Sequence, residues 1–99
     1  MILSWFDASE AKEFGETLAR FFLQSMPAAS KIGDKAFAQK ADKTLRLMAE
    51  QVGQFKKQKK LNTYKKAQLG NAFKWTLIDA GVEAGYTDEL TKWLVQHLG

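Results

Sequence analysis

The stretch QFKKQKKLNTYKKAQ, residues 54–68, sets Lys56, Lys57, Lys59, Lys60, Lys65 and Lys66 in a run that holds no Asp or Glu. The chemistry open to such a run is electrostatic. Ammonium groups act as point charges toward phosphate, on nucleic acid or on an anionic membrane surface. Tyr64 stands among them and offers a ring on which a base can stack. The run has no arginine, the residue that grips phosphate or guanine with two parallel hydrogen bonds. Binding through it is expected to be weak, salt-sensitive and blind to sequence. The competing reading is a solvated helix end, whose lysines face the negative pole of the preceding helix and keep a turn soluble. Lys65 and Lys66 suit that reading less well, because they meet the positive pole of the helix that follows.

Elsewhere the reactive residues do not assemble. His97 is the single histidine and there is no cysteine, so zinc and thiol chemistry lack ligands and nucleophiles. On the apolar side of the last helix, next to its C-terminal end, it reads as a packing residue or a mild helix-dipole partner. Asp79 and Glu83 fall one turn apart, but paired acid–base work needs both in a cleft that separates their pKa values. Asp79, between Ile78 and Ala80, is the more interesting of the two. Ser4, Ser9, Ser25 and Ser30 have no histidine oriented by a third group, and no glycine-rich phosphate loop follows a strand. No catalytic residue, metal ligand, cofactor or small-molecule substrate is assigned.

Residues 1–99 read as a single domain, 45% apolar, with seven Phe, three Trp and two Tyr to bury. The net charge of +4 is local to the lysine run, since the remainder is slightly acidic. The start carries no basic leader, and Arg20 and Gln24 interrupt the longest apolar stretch well short of the roughly 20 residues a membrane span needs. The expectation is a soluble, cytoplasmic protein.

Periodicity then supplies the elements. Asp7 is an N-cap candidate with Glu10 as its capping-box partner and Phe6 as a staple. Ala8, Ala11, Phe14, Leu18, Phe21, Phe22 and Met26 share one arc, Ala19 and Leu23 widen it, and Pro27 stops the helix. After the loop PAASKIG, Asp34 caps a longer helix to about Lys59, with Phe37, Ala41, Leu45, Met48, Val52 and Phe55 as its stripe and Leu47 alone on the polar side. Asn62 or Thr63 starts a third helix predicted to reach Ala84. Leu69, Phe73, Leu77, Ala80 and Ala84 form one of its apolar faces, bordered by Gly70 and Gly81. Tyr64, Ala67, Trp75, Ile78 and Val82 form the other. Gly85 reads as its C-cap. Thr87 or Asp88 opens a short last helix whose Leu90, Trp93, Leu94, His97 and Leu98 would cover that other face.

The fold class is therefore all-α: a small antiparallel bundle of three main helices and a short C-terminal fourth, with helices two and three as a hairpin tipped by the lysines. The functional expectation is a non-catalytic protein-interaction or assembly module. A partner or a second copy would meet Tyr64, Trp75, Ile78, Val82 and Trp93, since tryptophan and tyrosine bury much area at little entropic cost. The alternative is weak, sequence-nonspecific polyanion binding through the six lysines. Insertion of Ile2, Leu3, Trp5 and Phe6 into a membrane interface ranks lower, because acids follow closely.

Overall fold

The steps of three and four between apolar residues resolve into four helices: α1 Ser9–Ser25, α2 Lys35–Gln58, α3 Thr63–Asp79 and α4 Ala84–Leu98. They are seen in a computed structural model that describes residues 7–26 and 35–99, and no strand occurs among the described residues. The Phe6 staple, the Pro27 stop, the loop 27–33, the Asp34 cap and the apolar Ile2, Leu3 and Trp5 lie outside the described residues. No helix among the described residues is long and apolar enough to cross a membrane.

The boundaries are set by side chains and one glycine. At the start of α1 the Asp7 carboxylate accepts from the Ser9 amide at 3.1 Å and the Ser9 hydroxyl at 2.7 Å. Glu10 does not close the expected capping box. It reaches instead to Lys59, 2.9 Å away. Met26 is already extended at φ −80° and ψ 141°, the conformation that a following proline imposes. Asn62 caps α3 by accepting from the Lys65 amide at 2.8 Å.

The third helix ends at Asp79, short of the predicted Ala84. Gly81 takes φ +90° there. Its amide bonds the Ile78 carbonyl at 2.9 Å and the Val82 amide bonds Leu77 at 3.1 Å, a complete Schellman turn. Ala80 and Ala84 are consequently exposed rather than part of the inner face. Gly85 is not a C-cap. It lies in the first turn of α4, where the Glu83 carboxylate accepts from the Gly85 and Tyr86 amides at 2.8 and 2.9 Å. Two glycines competed for one stop, and the carboxylate placed to cap the next helix decided between them.

The core is built by Leu18, Ala19 and Phe22 of α1, Met48 and Val52 of α2, Leu69, Phe73 and Leu77 of α3, and Leu90, Leu94 and Leu98 of α4. Each large side chain buried there contributes roughly 1.5–3 kcal/mol of transfer free energy. The predicted stripe of α2 is largely right, but Thr44 is buried where Leu45 was expected, and Leu45 is half-buried beside it.

Packing of α1 on α3 is the most extensive helix contact. It centres on Gly15, where an added methyl would collide with the Leu69 carbonyl oxygen and meet the Ala72 Cβ at 3.2 Å. Gly70 has a lesser part: a methyl there would touch Val95 Cγ2 at 3.4 Å, ordinary contact. The two close helices run in the same direction. Helix α4 lies antiparallel to α3, as the approach of Lys74 to Asp88 at 3.6 Å and of Gly70 to Val95 requires.

Helix α2 runs antiparallel to α1, with Phe14 and Phe55 stacked at 4.1 Å and 3°. At the far end Tyr86 joins Phe22 and Phe37, with ring centroids 6.2 and 5.6 Å away. Helix α2 packs on α1 and α4 and not along α3. Consecutive helices are antiparallel as predicted, but α2 and α3 do not form the expected hairpin, because the glycine contact gives the inner face of α3 to α1.

Two outcomes follow. Gly15→Ala should destabilise the fold by about 1–3 kcal/mol in urea denaturation, the usual range for forced overpacking. The backbone hydrogen bonds at Gly85 and Tyr86 hold the Glu83 pKa below its ordinary 4.5. A folded-state pKa below the unfolded one stabilises at pH above the unfolded value, and the effect fades as pH falls through the folded value. Glu83→Gln should therefore lower the melting temperature near neutral pH and leave it closer to the parent's below about pH 4.

Candidate functional site: the lysine end of the bundle

Four helix ends converge on the lysines. The starts of α1 and α3 and the ends of α2 and α4 all meet at residues 56–66, because α1 and α3 run together and their neighbours run back. The end of α2 supplies Lys56 and Lys57, and Lys59 follows directly after it. Lys60 and Leu61 lie in the short link, and Lys65 and Lys66 belong to the first turns of α3.

The end is not free of acid, as its sequence suggested. Lys59 Nζ pairs with Glu10 at 2.9 Å, and Asp7 comes close enough to Lys65 for their charges to interact. Bonds from the Ser9 hydroxyl and amide do most to hold the Asp7 carboxyl below its ordinary pKa, and the Lys65 charge adds a smaller effect. Lys56 Nζ donates to the His97 carbonyl at 3.0 Å, which sets its charge at the negative pole of α4 rather than of its own helix. Lys57, Lys60, Lys65 and Lys66 make no ion pair among the described residues.

Leu61 separates two clefts. One, of about 310 Å³, is walled by Asp7, Glu10, Lys59, Lys60 and Lys65 over Ala11 and Phe55, and its charges largely offset one another. The other, of about 360 Å³, is walled by Lys56, Lys59, Lys60 and Lys66 over Leu61, Leu98 and Gly99, with no side-chain carboxylate. Asp7, Glu10, Leu61 and Leu98 are the residues that sequence reasoning left out of this end. Only the parallel packing of α1 on α3 brings the first two there, and no local spacing signals it.

The aromatic candidates separate rather than gather. Tyr64, Val82 and Trp93 are half-buried against the core. Trp93 also lies against His97, with ring centroids 4.2 Å apart and the planes tilted by 35°. His97 is exposed rather than packed inside, and its Nδ1 lies 2.9 Å from the Trp93 carbonyl, which assigns the proton to that nitrogen. Trp75 and Ile78 stay on the outer side of α3, away from the core. Trp75 is 56% exposed, with Lys74 Nζ 5.8 Å from its ring. The expected cover by α4 fails because α4 docks at Gly70, on the flank of the inner face.

The carboxylate pair is also separated. Asp79 ends α3 exposed, while Glu83 lies beyond the turn and is engaged in capping α4. No group of three metal-ligating side chains occurs among the described residues. Comparison with known protein families, curated proteins and solved structures finds no match to this chain.

Lys65 and Lys66 lie in the first turns of α3, at its positive pole, and face the lysines that end α2 and form the link. Lys66→Glu puts an acid early in α3 and among the opposing lysines, so it should raise stability by about 0.3–1 kcal/mol in urea denaturation at low salt. The gain should shrink as salt is added. A loss of stability would show that the lysine end carries no such electrostatic strain.

Proposed function

We propose that the chain is a non-catalytic helical interaction or assembly module that meets protein through the outer side of α3. The observation that carries this reading is Trp75. It stands 56% exposed on the most deeply packed helix, with Ile78 one turn away and also outside the core. A rigid helix holds the ring in place, so little conformational entropy is lost when a partner covers it. Covering on the order of 100 Å² of that ring would contribute about 2.5 kcal/mol. Tyr64 and Val82 flank the same helix and would extend the contact, whereas Trp93 belongs to the opposite flank of α4 and joins only a larger interface.

Sedimentation velocity over a wide concentration range, together with photo-crosslinking from position 75 in cells, tests this. Association or a specific crosslink is expected for the parent protein. It should be lost in Trp75→Ser, whose unfolding free energy should change by less than about 0.5 kcal/mol, the range for exposed positions. Neutralising the six lysines should leave the association unchanged. A monomer at every concentration together with no specific crosslink would overturn the reading.

A further inference from the structure

We propose that the cleft walled by Lys56, Lys59, Lys60 and Lys66 binds a phosphate group, free in solution or carried on a nucleic-acid strand. This surface is distinct from the outer side of α3 and does not depend on the role given to Trp75.

The contrast between the two clefts carries the inference. They share Lys59, Lys60 and Leu61, yet the one facing α1 sets three lysines against Asp7 and Glu10 while the one facing α4 is lined by four lysines with Leu61, Leu98 and Gly99. Glu10 takes Lys59 and the His97 carbonyl takes Lys56. Lys60 and Lys66 are left with no anionic partner among the described residues, although they come from different elements and border one concavity. Like charges gathered around a hollow repel, and an anion seated between them relieves the repulsion while gaining charge-assisted hydrogen bonds.

Size and residue type narrow the ligand. At about 360 Å³ the cleft admits a phosphate with an attached sugar or several waters. Leu61 and Leu98 give it an apolar floor, which suits an ester carbon better than a bare ion in bulk water. Lysine supplies flexible point charges, so the site selects charge and not base identity. A concave site at the end of a narrow bundle fits a projecting phosphate better than a flat bilayer.

The test is a titration of the full chain with inorganic pyrophosphate, read by backbone amide NMR shifts at ionic strength held constant with sodium chloride. Saturable shifts confined to residues 56–61, 66 and 97–99 are expected. Lys60→Gln/Lys66→Gln should weaken binding at least about tenfold. Lys60→Arg/Lys66→Arg, which keeps the charge, should retain it, and circular dichroism should show both variants folded.

A single-stranded oligonucleotide distinguishes the sources. Displacement of pyrophosphate at lower phosphate concentration, with a log–log salt slope near about −3 for four contacts, assigns the nucleic-acid backbone. Displacement no better than that by pyrophosphate itself assigns a free phosphate. Shifts that fail to saturate, or that persist undiminished in the glutamine variant, overturn the proposal. Capture on anionic vesicles with no response to either soluble probe would do the same.

Discussion

The close approach of α1 to α3 at Gly15 is the constraint from which the rest of the arrangement follows. With no side chain at that position, the α1 backbone settles against the Leu69 carbonyl and the Ala72 methyl. Leu18, Ala19 and Phe22 then reach the inner face of α3 and meet Leu69, Phe73 and Leu77 in one core. An α3 so occupied has no room for α2 along the same side. Helix α2 therefore turns to α1 and α4, and α4 takes the flank marked by Gly70.

That one contact also determines what each end of the molecule holds. Because α1 and α3 run in the same direction, their positive poles, with Asp7 beside one and the Asn62 cap at the other, lie together at the lysine end. The opposite end is left to an aromatic group in which Tyr86 joins Phe22 and Phe37. Burial pushes the Tyr86 hydroxyl up from its ordinary pKa and keeps it neutral.

The sequence made the elements legible and their partners much less so. Apolar steps of three and four located every helix, and the Asn62 cap was real, whereas the residue that caps α1 is Ala8, without a side-chain bond, and Asp7 only bonds Ser9 ahead of it. The end of α3 was misplaced because Gly81 and Gly85 are equally good stops by residue type, and only the Glu83 carboxylate distinguishes them. Pairing of helices depends on which backbones approach most closely. That was carried by Gly15, a glycine in mid-helix whose neighbours in sequence give no hint of its contact. The six lysines could be read directly, but Asp7 and Glu10 reached them from more than forty residues away. Trp75 was named with four other residues as one surface. Three of the five proved to flank the core, because a half-buried aromatic and an exposed one carry the same letter.

Parallel packing of α1 on α3 also bears on how the chain is made. Leu69 follows Gly15 by some 54 residues, with the whole of α2 between them. At roughly 5–20 residues per second, α1 waits about 3–10 s after its own synthesis before its main partner exists. Throughout that interval Leu18 and Phe22 have only α2 to shelter them. The α1–α3 contact is thus one of high sequence separation, and closing the loop that spans α2 costs more entropy than pairing neighbouring helices.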